Sequence, residues 1–367
     1  MRIPLFRPSI SEAAIQNAAE VLRSGWLGLG PRTREFEEKF AAYAGAPHCV
    51  GLNSCTSAIH LALHVLDLPK GSEVITTPLT FVSTNHAILY EDLSPVFADV
   101  DRESGNLLVS DIEGRITDRT RALIVVHYGG YPADLDELYS LALEHGITII
   151  EDCAHACGST YKGKRIGSHG DFHAFSFHAV KNLPMGDGGA LTVRSGEHDA
   201  RLRRLRWLGI DKDTYRRTTK SSYDWDYDVP EVGFKYHMND IEAAIGLAQL
   251  DLVDRENARR AEIAGRYRDA LSSVAGLALT RLSEDRTSSF HLFPVLVENR
   301  EGFIAKLKDA GIGVGVHYRR NDEYPMYQKA DLPNAEWLSS RVVSLPMHMC
   351  LTDDDVGYVT DTIASGW

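Results

Sequence analysis

The sequence predicts an α/β protein whose main domain is a mostly parallel sheet of about seven strands between helices. Seven short runs rich in apolar and β-branched residues alternate with helical patterns from residue 1 to about 200, as stacked βαβ units do. Several runs lack polar alternation, which indicates strands covered on both faces. The chain has 367 residues, enough for a second domain with its own core.

The seven predicted strands, in chain order, are HCVGLN (48–53), EVITTP (73–78), SPVFADV (94–100), ALIVVHY (122–128), ITIIEDCA (147–154), DFHAFSFH (171–178) and ALTVRS (190–195). Between them, the spacing of apolar residues predicts helices at SEAAIQNAAEVLRSG (11–25), TSAIHLALHVL (56–66) and PADLDELYSLALEHG (132–146). Ser11 is the expected N-cap of the first helix, and Gly25 is its expected stop.

A long helix is predicted from about residue 239, and a smaller domain follows it. The helix pattern continues past Arg259 with a break, and its apolar face holds Ile241, Ala244, Ile245, Ala248 and Leu252. Further strands are predicted at SSFHLFPVLV (288–297) and GVGVHY (313–318), and helices at 300–310 and 352–364. We therefore predict a large domain over residues 1–245 and a small α+β domain over residues 246–367.

Composition and charge exclude several classes of function. A hydrophobic content of 44% and a charged content of 25% are ordinary for a globular protein, and no run of eighteen apolar residues or secretory signal is visible. A net charge of −12 disfavours nucleic acid as a partner. We expect a cytoplasmic protein with no membrane or nucleic-acid partner. Its five cysteines, an odd number without regular spacing, are expected to be reduced thiols.

No metal site is predicted. Cys153 and Cys157 flank His155, but no second pair of ligands accompanies them, so small residues at a strand end are the better interpretation.

One lysine stands out in FSFHAVKNLPMGDGGAL (175–191), where Lys181 lies between a predicted strand and a glycine-rich loop. Alone, a lysine at a strand end is usually solvated. The preceding strand, however, ends in Glu151 and Asp152, at the edge where open α/β sheets bind ligands. An acid there could bind a metal, a ribose or a protonated heterocycle. Adjacent strand ends can therefore place a carboxylate and an amine around one small planar ligand.

Two strand-to-helix junctions add further candidates. In GLNSCTSAIHLAL (51–63), Ser54, Thr56 and Ser57 lie where a helix N-terminus can hold a phosphate, although a routine helix cap has the same residues. In TPLTFVSTNHAIL (77–89), Phe81 is either a stacking platform or a core residue. Lysine, acid, anion site and aromatic ring together are the groups that pyridoxal 5′-phosphate (PLP) requires.

The order and wording of these segments resemble the DegT/StrS-like nucleotide-sugar aminotransferases, PLP enzymes of fold type I. The resemblance runs almost end to end and is carried by SGWLGLGPRTREFEEKFAAYAG (24–45), NSCTSAIHLAL (53–63), EDCAHACGSTYKGKRIGSHGDFHAFSFHAVKNLPMGDGGAL (151–191), GFKYHMNDIEAAIGLAQL (233–250) and SLPMHMCLTDDDVGYV (344–359). It implies a mixed, mostly parallel seven-stranded sheet and a homodimer with shared active sites.

The resemblance also implies roles for individual residues. Lys181 matches the lysine that forms the Schiff base with the cofactor, and Asp152 matches the carboxylate paired with the pyridine nitrogen. His155 falls where the family has Gln or His near the phenolic oxygen. The other matched positions are the phosphate ligands Cys55, Thr56 and Ser176, the stacking residue Phe81, and Lys235, which replaces an Asn that reaches the phosphate from the other subunit in many relatives.

The implied reaction moves an amino group from L-glutamate to a nucleoside-diphosphate 3- or 4-keto-sugar, with PLP cycling through pyridoxamine 5′-phosphate. Eight Lys or Arg against two Asp between residues 200 and 220 form a local basic excess that suits a diphosphate. A solvated helix face is an equally good explanation for the basic residues between Arg201 and Arg206. Ordinary polarity of an edge strand is the alternative for residues 317–319, and a buried anchor is the alternative for Trp26. The predicted substrate residues are Trp26, Lys212, Arg216, Arg217, His317, Tyr318 and Arg319.

Three alternatives remain open at this stage. A sugar dehydratase of the same family typically has histidine at the lysine position, so Lys181 disfavours it. A cyclitol or keto-polyol aminotransferase would share the whole cofactor site. A regulatory or structural relative would be expected to have a damaged cofactor site, whereas every position here is filled by a competent residue.

Overall fold

The computed structural model describes residues 2–212 and 226–367. All seven predicted strands form, and they make one sheet with the order β1-β9-β8-β5-β4-β2-β3. Strand β9 is antiparallel to both neighbours, whereas the pairs β8–β5, β5–β4, β4–β2 and β2–β3 are parallel. The predicted mixed, mostly parallel sheet is therefore confirmed. The strands of the whole chain are β1 His48–Leu52, β2 Glu73–Thr76, β3 Ser94–Phe97, β4 Thr120–Val126, β5 Thr148–Asp152, β6 Thr160–Tyr161, β7 Lys164–Arg165, β8 Phe172–Ser176, β9 Gly189–Val193, β10 Leu277–Leu279, β11 Arg286–Thr287, β12 Phe293–Val297 and β13 Val342–Leu345.

The predicted helices also form, with ends set by local capping. The Ser11 hydroxyl accepts a hydrogen bond from the backbone N–H of Ala14, and Gly25 ends the helix in the left-handed region at φ 77°. Thr352 and Asp355 form the predicted capping box of the last helix. The helices are α1 Glu12–Ser24, α2 Pro31–Ala44, α3 Cys55–His64, α4 Val82–Tyr90, α5 Val109–Glu113, α6 Leu135–His145, α7 Gly196–Leu205, α8 Asp240–Leu250, α9 Val253–Leu271, α10 Arg300–Asp309, α11 Pro333–Ser339 and α12 Asp353–Ala364.

Both faces of the large sheet are covered, as the lack of polar alternation predicted. Successive residues of β4 belong to different cores. Ala122 and Ile124 pack on one face with residues of α3, whereas Leu123 and Val125 pack on the other with residues of α6. Because side chains alternate across a strand, a strand covered on both faces buries successive side chains, which favours apolar residues at adjacent positions.

A second core lies in the C-terminal part of the chain. Residues of α9, β12, β13 and α12 pack together there, and Ile3 from the other end of the chain packs with them. Its sheet has the order β10-β12-β13, with antiparallel pairs. The two parts are also joined by a small sheet in which β11 pairs with β6.

One predicted strand is wrong. The segment GVGVHY (313–318) contributes only an isolated bridge between Gly315 and Ser344, and β13 is the strand that pairs with β12 instead. Two glycines in six residues leave this segment with few side chains to pack against a sheet. Its last two residues turn towards the large sheet.

The predicted long helix begins at Asp240 and breaks after Leu250, where α9 follows. Of the predicted apolar face only Ala244 is buried, and Ile241, Ile245, Ala248 and Leu252 are half-buried. The buried face of α8 consists instead of Ala243, Ala244, Gly246, Leu247, Gln249 and Leu250. Gly246 has a reason to be glycine, because a Cβ there would lie 2.0 Å from Cε of Met185. The close approach at Gly246 therefore helps to set which face of α8 is buried.

Candidate active site

A cavity of about 380 Å³ lies at the carboxyl ends of β5 and β8. It brings together predicted site residues from separate segments of the sequence. Two of them, His317 and Tyr318, come from the C-terminal part of the chain. The predicted residues that line it are Cys55, Thr56, Phe81, Asp152, His155, Ser176, Lys181, His317 and Tyr318. Phe81 is 61% exposed, so its ring is available as a platform rather than packed in the core.

Lys181 follows β8 through a tight turn, in which its backbone N–H donates to the carbonyl of His178 at 2.8 Å. Its Nζ lies 3.3 Å from Nε2 of His291, and within residues 2–212 and 226–367 it forms no ion pair. Burial lowers the pKa of the Lys181 amine to about 8, although the Asp152 charge opposes this shift. Although the amine is still mainly charged at pH 7, its neutral fraction is far larger than that of an ordinary lysine, which makes it a competent nucleophile and proton carrier.

Asp152 ends β5 and is only 4% exposed. Its Oδ2 accepts a hydrogen bond of 2.8 Å from the Thr84 hydroxyl, and its Oδ1 accepts one of 3.0 Å from the Ala154 backbone N–H. These donors come from two different elements, α4 and the turn after β5. They hold the carboxylate in one orientation at the floor of the cavity.

His155 is a buried imidazole, and only one of its ring nitrogens has a hydrogen-bond partner in the described part of the chain. Its Nε2 lies 3.0 Å from the Tyr318 hydroxyl, whereas Nδ1 has no hydrogen-bond partner among the described residues. Burial, together with the Lys181 charge, holds the pKa of His155 well below its usual range, and burial raises the pKa of Tyr318. A neutral imidazole whose Nε2 accepts from Tyr318 carries its proton on Nδ1. The free N–H is then a donor for a bound ligand.

Two further imidazoles surround the lysine. His291 stacks on Phe6 with ring centroids 5.6 Å apart, and burial lowers its pKa well below the usual range. Burial also lowers the pKa of His317 to about 4. The imidazoles near Lys181 are therefore neutral at neutral pH. They offer hydrogen-bonding groups to the amine without adding charge.

The start of α3 forms the polar end of the cavity. Ser54 caps the helix by accepting from the backbone N–H of Ser57 at 3.1 Å, and Thr56 lies in the first turn. The backbone approaches closely here, since a Cβ on Gly189 would lie 2.3 Å from the carbonyl carbon of Ser54. With Ser176 beside it, this helix N-terminus has the donors and the dipole that bind a phosphate.

Other predicted residues lie away from the cavity of this chain. The Lys235 ammonium lies over the Trp207 ring at 3.3 Å, and Arg319 pairs with Glu323 at 3.0 Å. Nε1 of Trp26 donates to the carbonyl of Leu29, and Nζ of Lys212 donates to the carbonyl of Asp226. Arg216 and Arg217 lie outside the described residues. The substrate roles of all these residues stay predictions.

Several cavity residues were not singled out in the sequence. They are Phe6, Thr84, Asp187 and His291. His291 precedes β12 in SSFHLFPVLV, and a polar residue just before an apolar strand is a usable signal for a strand-end site. Phe6 has no such signal, because only tertiary packing brings the first residues of the chain to this wall.

Comparison with known proteins identifies the family. The model described as the DegT/DnrJ/EryC1/StrS aminotransferase family matches residues 8–364. The chain belongs to this family. SpsC of Bacillus subtilis strain 168, a spore coat polysaccharide biosynthesis protein, is 40% identical over 374 residues, which cover 98% of this chain and 96% of SpsC.

Solved structures agree with this assignment. AtS13 from Actinomadura melliaura is 44% identical with a TM-score of 0.93, and the match covers 100% of this chain and 99% of AtS13. The sugar aminotransferase CalS13 from Micromonospora echinospora is 37% identical with a TM-score of 0.92 over 100% of both chains. The protein is thus an aminotransferase of PLP fold type I.

The cavity fits the cofactor of this family, which is PLP. Nδ1 of His155 is a buried polar atom without a partner among the described residues, as expected if a ligand oxygen completes it. Lys181 presents an amine of lowered pKa, Asp152 a fixed carboxylate, and α3 an anion site. These groups surround one cavity and match the aldehyde, ring nitrogen and phosphate of PLP.

Proposed function

We propose that this aminotransferase moves an amino group from L-glutamate to a nucleoside-diphosphate 3- or 4-keto-sugar. The observation that carries the proposal is the convergence of Lys181, Asp152 and His155 on one cavity in a chain of this family. The sugar acceptor is supported by CalS13, which is named a sugar aminotransferase, and by SpsC, which is named for polysaccharide biosynthesis.

Lys181 carries the proton in this proposal. Bound PLP supplies an aldehyde that bonds to an amine and a ring that withdraws electrons from the neighbouring carbon. The Lys181 amine would hold the cofactor, and its Nζ, when free, would accept a proton from the bound amino donor and return it. Its pKa of about 8 suits both directions, because the charged and neutral forms are close in free energy near neutral pH.

Asp152 and His155 would both contact the ring of the bound cofactor. The fixed Asp152 carboxylate stabilises a proton on the ring nitrogen, since an opposite charge nearby favours the protonated form. His155 donates from Nδ1 towards the phenolic oxygen while Tyr318 holds Nε2. Together these contacts would hold the ring in one orientation independently of Lys181.

We propose further that the enzyme is a homodimer with shared active sites. Lys235 lies away from its own cavity, which is consistent with a contact to the phosphate in the other subunit. Exposed apolar residues on and near α1 are consistent with a covered surface, namely Ile10, Ile15, Leu22 and Leu27. No helix in the described part of the chain has the length and apolarity needed to cross a lipid bilayer.

The donor half of the proposal is tested without any sugar. PLP-loaded protein is mixed with L-glutamate, and the visible absorbance of the lysine-bound cofactor is followed while released 2-oxoglutarate is quantified. We expect loss of the absorbance with about one 2-oxoglutarate per site. L-alanine and L-glutamine are the comparison donors, and an unchanged spectrum with glutamate would overturn the donor assignment.

The acceptor half uses the pyridoxamine form of the enzyme. A panel of nucleoside-diphosphate 3-keto- and 4-keto-sugars is supplied, and the aminated carbon is identified by nuclear magnetic resonance of the product. Matched keto-sugars without the nucleotide and a keto-cyclitol are included in the panel. Preferred turnover of the keto-cyclitol would replace the nucleotide-sugar proposal while leaving the aminotransferase assignment intact.

A further inference from the structure

Two histidines and a glutamate converge at the C-terminal end of α3, the opposite end from the phosphate site. His60 and His64 are four residues apart and lie on the same face of the helix. Glu91 follows the last residue of α4. The same oxygen, Oε1 of Glu91, lies 2.6 Å from Nε2 of His60 and 2.9 Å from Nδ1 of His64.

This donor set has the chemistry of a transition-metal site. Around a tetrahedral Zn²⁺ with ligands at about 2.0–2.2 Å, neighbouring ligand atoms are about 3.3–3.6 Å apart. The three atoms here lie within 4.8 Å of one another. The Glu91 oxygen is closer to both nitrogens than this spacing, so it must move away from them to admit an ion. We propose that His60, His64 and Glu91 bind one Zn²⁺ ion per chain, with the fourth position taken by water.

The surroundings supply an entry path and outer contacts. The side chains of His64 and Glu91 are 25% and 21% exposed, so an ion reaches the site from solvent. Nδ1 of His60 lies 3.2 Å from the Tyr236 hydroxyl, which is the kind of outer hydrogen bond that orients a metal-binding imidazole. The Phe234 ring packs edge-on against both imidazoles, at 4.9 Å and 5.2 Å between centroids.

Glu91 is ionised and therefore available as a ligand. Burial raises its pKa, but the hydrogen bonds from His60 and His64 outweigh burial and lower the pKa to about 2. Its close contacts in the described part of the chain are with the imidazoles of His60 and His64. A divalent cation bound between the three side chains would meet that charge directly.

A second cluster of similar composition is a weaker candidate. His127, Glu151 and Cys153 are also close together, but all three are buried. Glu151 already accepts from His127 at 2.8 Å and from Tyr139 at 2.5 Å. A carboxylate that is fully bonded and closed off from solvent has neither room nor an entry path for an ion. Among the described residues, the α3–α4 cluster is thus the better site.

The site would act on the segment that carries Lys235. Phe234 and Tyr236 both contact the cluster, and the Tyr236 carbonyl accepts a hydrogen bond of 2.8 Å from the backbone N–H of Asn53, just before α3. A bound ion would fix His60, and through it the Tyr236 side chain. We therefore expect a structural ion that stiffens residues 234–236 rather than one that takes part in catalysis.

The test measures metal binding by the intact PLP-loaded protein. Chelator-treated protein is titrated with Zn²⁺ in competition with a chromophoric chelator, and metal content is measured after gel filtration. We expect about one Zn²⁺ per chain, and no competition from Mg²⁺, which prefers oxygen ligands. His64→Gln and Glu91→Gln should each weaken binding at least tenfold, and Tyr236→Phe should weaken it less.

His86→Gln is the matched control, because His86 is a half-buried histidine on the neighbouring helix and is not part of the cluster. It should bind Zn²⁺ as the wild type does. Cofactor absorbance and circular dichroism check that each variant is folded. Less than about 0.2 Zn²⁺ per wild-type chain, or equal affinity in wild type and both ligand variants, would overturn the proposal and leave a hydrogen-bonded cluster without an ion.

Discussion

Replacing the active-site lysine with methionine should make the cofactor-free protein more stable. Lys181→Met keeps the length of the side chain and removes the charge. In the folded protein, burial lowers the pKa of the amine from 10.5 to about 8, so the charged form is disfavoured relative to the unfolded chain. At neutral pH the amine is mainly charged in both states, and the folded state therefore bears the cost of a poorly solvated ammonium.

The two pKa values give the size of the effect. Each unit between them is worth about 1.4 kcal/mol, so the full difference corresponds to about 3 kcal/mol. Water reaches part of the side chain, which is only half-buried, and reduces that cost. We therefore expect Lys181→Met to raise the free energy of unfolding by about 1–2 kcal/mol at pH 7.

The pH dependence gives the prediction a second signature. The cost in the wild type is fully present below pH 8 and is relieved as the pH rises from about 8 towards 10.5, because the folded protein loses its proton first. The advantage of the methionine variant should therefore shrink between pH 7 and pH 9.5.

Urea unfolding of the cofactor-free proteins at the two pH values measures both effects. Lys329→Met is the matched control, since Lys329 is exposed, and it should change stability by less than about 0.5 kcal/mol. If Lys181→Met is less stable than the wild type at pH 7, or if the difference is the same at both pH values, burial does not set the lysine pKa.

Four further results are expected. Asp152→Asn should keep the lysine-bound cofactor absorbance but lose turnover by orders of magnitude, because the ring nitrogen loses its carboxylate; wild-type turnover would remove Asp152 from the reaction. Thr84→Val leaves Oδ2 of Asp152 without its side-chain donor, and calorimetry should show that the free energy of unfolding falls by about 1–3 kcal/mol. An unchanged free energy of unfolding would contradict the hydrogen bond. Tyr318→Phe frees Nε2 of His155 and should shift the cofactor absorbance and slow turnover about tenfold; an unchanged spectrum and rate would argue against the contact. Lys235→Ala should weaken PLP retention about tenfold in dialysis, the effect of one phosphate contact, and full retention would contradict its assigned role.

The large sheet was predictable because its signal is local. Strand β4 is buried on both faces from Ala122 to Val126, so an unbroken apolar run marks it whatever the order of the strands. The strand pattern also predicted that Asp152 and Lys181 lie near each other, because adjacent parallel strands end at the same edge of a sheet. The resemblance to a family then assigned roles that spacing alone left open.

The parts that failed depend on packing between distant segments. The 313–318 segment alternates as a strand does, yet β13 pairs with β12 instead and the segment leads Tyr318 to His155. The apolar face predicted for α8 was chosen from spacing alone, whereas the observed buried face is the one that packs against α1 and α2. His291 and Phe6 reach the cavity only through tertiary structure, which no short pattern records.

The pairing of β11 with β6 has a consequence for how the chain can be dissected. Thr287 and Arg286 complete a sheet whose other strands belong to the first half of the sequence, and Ile3 fills the core of the second half. If the chain were cut near residue 250, the N-terminal fragment would therefore lack the edge strand β11. The C-terminal fragment would lack the core side chain of Ile3. Neither piece would be an autonomous module, and both would expose surfaces prone to aggregation. Melting of the intact chain should accordingly be a single cooperative event.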